Sequence, residues 1–106
     1  MSELYKEENM LVIDKVKGYI TFEEKETAKK EIKEGLEGLK GRIEGLTDIH
    51  VYTDGLASSN TDIMLESVHT DRDALAFYAG HPLHVDVKNN IIVPKVSGRY
   101  AFDFDC

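Results

Sequence analysis

Hydrophobic periodicity switches between two and about 3.6 along this chain, and the order of those switches restricts the fold more than any single motif. The helical stretch is the clearest. Ala28, Ile32, Leu36, Leu39 and Ile43 recur at spacings of four, four, three and four, which makes one stripe on a helix. Thr21-Phe22-Glu23-Glu24 ahead of it reads as a capping box. The Thr hydroxyl accepts from the backbone N–H three residues on, and Glu24 reaches back. Lys and Glu fill the other faces, with Glu26–Lys30 and Glu37–Lys40 spaced to pair. Gly41 and Gly45 mark the end.

Segments of strand character flank this helix. Residues 10–20 carry Leu11, Val12, Ile13, Val16, Tyr19 and Ile20, after a leader, 1–9, expected to be mobile. Residues 46–54 form a strand with two unlike faces, closed by an Asp54-Gly55 turn and a loop over 56–60. In 61–69, Ile63, Leu65 and Ser67 face one way, Met64, Glu66 and Val68 the other. Thr70-Asp71-Arg72-Asp73 is a second capping box and opens a short helix with Ala74, Leu75, Phe77 and Tyr78. A further helix over 82–93 is expected to bury Val85, Val87, Ile91 and Ile92, with Pro94 stopping it. In 99–105, Tyr100, Phe102 and Phe104 share one face. Arg99, Asp103 and Asp105 share the other, which is expected to be solvated.

Strand, helix, strand, strand, helix, strand predicts an α+β, ferredoxin-like βαββαβ fold: a four-stranded antiparallel sheet with helices on one face. One domain, 10–106, follows the leader. The other sheet face carries Val68, Met64, His50 and Tyr52 among charges. It is too apolar for water and too polar for a monomer core, so a homodimer packed sheet to sheet is expected.

Charge and composition exclude several partners. A net charge of −7, with lysines interleaved among glutamates, argues against nucleic acid and against an anionic membrane surface. No apolar run approaches the roughly 20 residues that span a bilayer. The first nine residues are acidic, without the apolar core of a secretory signal. Cys106 is the sole cysteine, so no internal disulfide can form, which fits a cytoplasmic protein. No P-loop, dinucleotide fingerprint or CxxC occurs, and no cofactor is expected.

Chemistry gathers at Phe77-Tyr78-Ala79-Gly80-His81-Pro82-Leu83-His84-Val85, which holds two of the four histidines. Gly80 weakens a helix, and Pro82 cannot sit inside one but suits its first position. The segment therefore predicts a helix ending near Ala79, a corner, and a helix from Pro82, with Tyr78, His81 and His84 around one bend. His84 in a first helical turn is disfavoured as a cation and is expected to be neutral, as a general base requires. Tyr78 could then orient or protonate a substrate oxygen. The alternative is that the two merely satisfy each other in a packed corner. His81 falls at the N-cap and could close the turn through its ring. His81 and His84 also form an H-x-x-H pair, but zinc wants three or four ligands. His50, His69, Asp62 or Glu66 would have to complete such a site, and no metal is expected.

This segment, written Tyr78-x-x-His81-Pro82-x-His84-Val85, resembles the stress-responsive α/β-barrel (Dabb) domain, as do Leu39-Lys40-Gly41-x-Ile43-x-Gly45-Leu46 and Arg99-x-x-x-Asp103-Phe104. The resemblance runs from Met10 to Phe104. It implies a small dimer whose two sheets form a barrel, with a pocket between sheet and helices in each subunit. Most members have no known reaction. In plant polyketide cyclases of the family a Tyr and a His of this segment act as acid and base, and these match Tyr78 and His84. His81 matches a further family histidine. The wider superfamily includes cofactor-free monooxygenases and haem-handling proteins. Two places depart from the pattern: the first strand reads Ile13-Asp14-Lys15-Val16-Lys17-Gly18 where many members have a histidine followed by an apolar-Phe-Lys run, and Asp62 stands where the cyclases have another histidine. Two readings follow. One is a dimer that binds a small molecule at Tyr78, His81 and His84. The other is a cofactor-free enzyme acting on a small aromatic or carbonyl compound through Tyr78 and His84.

Overall fold

The computed structural model describes residues 8–18 and 21–105. Its elements are β1 (Glu8–Val16), α1 (Phe22–Glu37), β2 (Leu46–Tyr52), β3 (Ile63–His69), α2 (Arg72–Gly80), α3 (Pro82–Val87) and β4 (Val96–Asp105). A π-helical turn, Lys88–Ile92, continues α3. The strands lie in the order β2-β3-β1-β4, and every neighbouring pair is antiparallel. This is the α+β, ferredoxin-like arrangement expected from the order of periodicities.

Strand parity decides which residues meet. Val12, Asp14 and Val16 of β1 are buried, whereas Ile13 and Lys15 are exposed. The register sets Val12 beside Leu65 and Ala101, Asp14 beside Ile63 and Arg99, and Met10 beside Ser67 and Asp103. These residues share the inner face, where α1 contributes Ala28, Ile32 and Leu36 to the core and the π-helical turn contributes Ile92. On the outer face Ile13 sits beside Met64 and Tyr100, and Leu11 beside Phe102. Tyr100 is 72% exposed and Phe102 67%. Arg99 and Asp103 therefore lie on the inner face, not on the outward one expected for them, although Asp103 is exposed there as expected, while the aromatic row of β4 faces out.

Local chemistry explains the helix starts. Thr21 caps α1 by accepting from Glu24 N–H at 3.1 Å. Asp71, not Thr70, caps α2, accepting from Ala74 N–H at 2.8 Å. Thr70 instead donates its N–H to Gly45 O at 2.9 Å, tying the helix entry to the start of β2. Gly45 has φ +88, and a Cβ there would stand 2.5 Å from that of Ala74. Only glycine fits both conditions.

Several boundaries differ from the sequence reading. β1 begins at Glu8, so two residues of the expected leader belong to the sheet. Residues 1–7, Tyr19, Ile20 and Cys106 lie outside the described residues. α1 ends at Glu37, where the N–H of Gly38 returns to Glu34 and Leu36. Leu39 and Ile43 complete the apolar stripe from turns rather than from the helix. Glu26 pairs with Lys29 and Glu37 with Lys33, replacing the partners expected from spacing. Val85 is 36% exposed, because α3 turns His84 inward instead.

Candidate functional site

The corner forms at a single residue. His81, with φ −66 and ψ 134, is both the C-cap of α2 and the N-cap of α3, and Pro82 opens the new helix. That change of direction brings Tyr78, from the last turn of α2, against His84, from the first turn of α3. Their ring centroids are 4.3 Å apart, tilted by 35°. Nδ1 of His84 lies 3.1 Å from the carbonyl of Ala79. A carbonyl only accepts, so Nδ1 carries the proton and Nε2 is the free basic nitrogen of the neutral ring. Burial pushes the His84 pKa down, against the Ala79 bond, which raises it, and nearby charge on Arg99, Lys88 and His81 lowers it further. Its neutrality thus follows first from burial rather than from the helix end. Burial pushes the Tyr78 hydroxyl up to about 12, with Arg99 opposing. Tyr78 is fully buried, and its hydroxyl has no hydrogen-bond partner among the described residues.

β3 adds a second histidine against Tyr78. The His69 ring is 4.9 Å from that of Tyr78 and fully buried. Its Nε2 lies 2.9 Å from Ser67 Oγ, while Nδ1 has no partner among the described residues. Burial lowers the His69 pKa, Asp103 pulls it up, and His84 pushes it down. From β1, Asp14 is completely buried and faces Arg99 of β4, whose Nε is 3.2 Å from Oδ1. That contact is an ion pair without hydrogen-bond alignment, and neither Asp14 oxygen has a hydrogen-bond partner among the described residues. Burial pushes the Asp14 carboxyl up, and Arg99 draws it down.

Tyr78 and His84, singled out in the sequence, are thus brought together. His81 is not in the same cluster. Its Nδ1 accepts from Leu83 N–H at 3.1 Å, and its ring meets Phe77 edge-on at 5.2 Å. The pairs Asp14–Arg99 and Ser67–His69 were not singled out from the sequence. Strand parity carried the signal, since Asp14 falls between Val12 and Val16, and Ser67 and His69 continue the face of Ile63 and Leu65. The residues considered for completing a metal site do not gather. His50 pairs with Asp48 at 3.1 Å, and Asp62 with Lys25 at 2.8 Å. Among the described residues no three His, Cys, Asp or Glu converge as metal ligands.

Buried polar groups in native proteins almost always have partners, and each orphan costs about 1–3 kcal/mol. Tyr78 Oη, His69 Nδ1 and both Asp14 oxygens lack hydrogen-bond partners among the described residues. Such groups on facing elements can donate to and accept from a small polar molecule.

A four-stranded antiparallel sheet with helices on its inner face, and with Tyr78 and His84 of the helix corner meeting His69 of β3, defines the class. The family model for the Stress responsive A/B Barrel Domain matches residues 18–106, and the chain belongs to that family. Among solved structures, it is similar to a dimeric ferredoxin-like protein of unknown function from Bacteroides fragilis. That protein is 26% identical over 94% of this chain and 96% of the other, with a TM-score of 0.84. A Dabb family protein from Mesorhizobium loti is 17% identical over 93% and 95%, with a TM-score of 0.72. A hydroxynitrile lyase from Passiflora edulis is 8% identical over 95% and 94%, also with a TM-score of 0.72. The last two share the fold. No functionally curated protein matches the chain. Among the described residues no helix is long and apolar enough to cross a membrane.

Proposed function

We propose that this protein is a homodimer, joined through its outer sheet faces, that binds a small molecule between the inner face and the α2–α3 corner. The observation that carries the binding reading is the Tyr78 hydroxyl, buried without a partner among the described residues on a ring that contacts both His69 and His84. His81 serves the site from outside, by fixing the corner through Leu83 N–H. Tyr100 and Phe102, largely exposed beside Ile13 and Leu11, support the dimer. So does the dimeric state of the Bacteroides fragilis protein. The family description and the single cysteine support a stress-linked, cytoplasmic setting.

A second reading, cofactor-free acid–base catalysis on a small aromatic or carbonyl substrate, is favoured by one feature. Ala79 fixes the His84 tautomer so that Nε2 can accept a proton, and Tyr78 keeps a proton to donate. A thermal-shift screen of small aromatic and carbonyl compounds tests the site, since a ligand of the native state raises its melting temperature. Compounds that stabilise the wild type but not His84→Ala support it. Equal stabilisation of both refutes it.

A further inference from the structure

We propose that a cleft at the far end of β1, bordered by Lys15, Lys17 and Lys25, binds the phosphate group of a small solute. This site is separate from the Tyr78–His84 corner. Glu8, at the start of β1, pairs with His69, whereas Val16 ends the strand eight residues on, about 26 Å away.

The cleft is the first observation. The end of β1, the start of α1, the loop before β3 and the start of β4 converge there around a space of about 420 Å³. That exceeds the roughly 300 Å³ at which small-molecule sites begin. Its lining combines the three lysines with Asn60, Thr61 and Ser97, so charge and hydrogen-bonding groups border one space.

Charge is the second. The chain carries −7, and six of its lysines, Lys25 among them, are each paired with a carboxylate. Lys15 and Lys17 are exposed and have no carboxylate partner among the described residues. They stand two residues apart at the end of a strand, a separation of about 7 Å along the chain. Their charges repel each other, and an anion shared between them removes that repulsion.

Asp62, a carboxylate in the same lining, is already committed. Its Oδ1 meets Lys25 Nζ at 2.8 Å, and its Oδ2 accepts from Val16 N–H at 2.8 Å. Burial pushes the Asp62 carboxyl up, but the bonds from Lys25 and Val16 and the charges of Lys25 and Lys29 outweigh it and hold the pKa below the usual value. Asp62 therefore acts as a strut that ties α1 and the loop to the end of β1. Two further bonds steady the backbone that carries the free lysines. Ser97 Oγ donates to Lys15 O at 3.2 Å, and Lys17 N–H donates to Lys95 O at 2.9 Å.

The donor set selects the anion. An ammonium is a compact charge with three donors, suited to the oxygens of a phosphate. A planar carboxylate is matched best by the fork of an arginine, and among the described residues no arginine lines this cleft.

Glucose 6-phosphate, inorganic phosphate and glucose test the site. Each is titrated at constant ionic strength into the isotopically labelled full chain, and backbone amide signals are followed by NMR. Both phosphates are expected to give saturable shifts at residues 15–18, 59–62 and 97, with none at Tyr78 or His84, and glucose to give none at all. Tighter binding of the ester identifies a phosphorylated solute, and tighter binding of inorganic phosphate identifies the free ion as the ligand and overturns the solute assignment. Lys15→Gln/Lys17→Gln should weaken binding about tenfold or more, because two charges leave the anion's surroundings. Lys30→Gln/Lys40→Gln removes the same charge from outside the cleft and should leave the affinity unchanged. Equal losses in the two variants, shifts scattered over many lysines, or equal shifts with glucose overturn the proposal. Asn60→Asp, in an exposed loop, is read alongside them and instead of the first variant should that one not fold. A carboxylate there should weaken phosphate binding as strongly, and an unchanged affinity overturns the proposal.

Discussion

The imidazole of His84 rests 4.3 Å from the phenol ring of Tyr78, and the carbonyl of Ala79 holds its Nδ1. Both facts come from one extended residue, His81, between two helices. Had α2 continued as a straight helix, positions 78 and 84 would lie about 120° apart around it and about 9 Å along it. The corner therefore makes the site, and Pro82 makes the corner.

Tyr78→Phe removes a buried hydroxyl that has no partner among the described residues. In the ligand-free protein the expected result is no loss of stability and a gain of up to about 1 kcal/mol, because a desolvation penalty disappears. Chemical denaturation measures it. A loss of 1 kcal/mol or more, as expected for a broken hydrogen bond, would show that the hydroxyl is satisfied.

Stability should fall as the pH drops below 6.5. Both His69 and His84 have folded-state pKa values lowered from 6.5, chiefly by burial. The unfolded chain then binds protons that the folded chain refuses, so stability is full above 6.5 and is lost as pH falls through the folded values. Asp14 acts with the opposite sign. Its folded pKa is raised from 3.8, so its contribution is present below 3.8 and is lost as pH rises through the folded value. Comparing denaturation curves of the wild type and His69→Gln/His84→Gln from neutral pH to about pH 5 isolates the histidines. The double variant should lose less stability on acidification. An identical slope would mean that neither ring is buried neutral.

How much of this was legible without coordinates depended on range. Thr21 and Pro82 act through neighbours within a turn, so cap and corner could be read directly. The apolar stripe from Ala28 to Ile43 was also legible, although Gly38 ends the helix before Leu39 and the last two members reach the core from turns. Asp14 looked like an interruption of a strand because its partner, Arg99, is 85 residues away. The inner face of β4 was misjudged for a related reason. Alternation separates Tyr100, Phe102 and Phe104 from Arg99 and Asp103 but does not say which set meets the helices. Here the aromatics of β4 turn away from the helices.

Two glycines should respond differently to alanine. Gly41 has φ +80 and open space around it, so Gly41→Ala should cost about 1–2 kcal/mol from backbone strain alone. Gly45 has φ +88 and would place a methyl 2.5 Å from Ala74 Cβ. Gly45→Ala should cost more, about 3 kcal/mol or above once overpacking is added, and should displace the start of α2. Similar losses in the two variants, measured by urea unfolding, would contradict the close approach.

The outer face should govern assembly. Phe102→Glu places a charge in the middle of the aromatic row, and hot-spot losses of at least about 2 kcal/mol correspond to roughly thirtyfold in the dissociation constant. Sedimentation should show the wild type at twice the chain mass and the variant shifted towards monomer. A wild-type monomer at micromolar concentration, or an unaffected variant dimer, would rule out sheet-to-sheet pairing.

The central claim is that Tyr78 and His84 receive a ligand. Its most direct test is a fragment screen read through the ring nitrogens of selectively labelled histidines. His69 and His84 border the site, His81 caps the corner and His50 lies on the outer face with Asp48, so each hit reports its own location. The account predicts hits that move the His84 and His69 signals and leave His50 unchanged. Hits confined to His50, or a screen in which the His84 signal never moves, would contradict it.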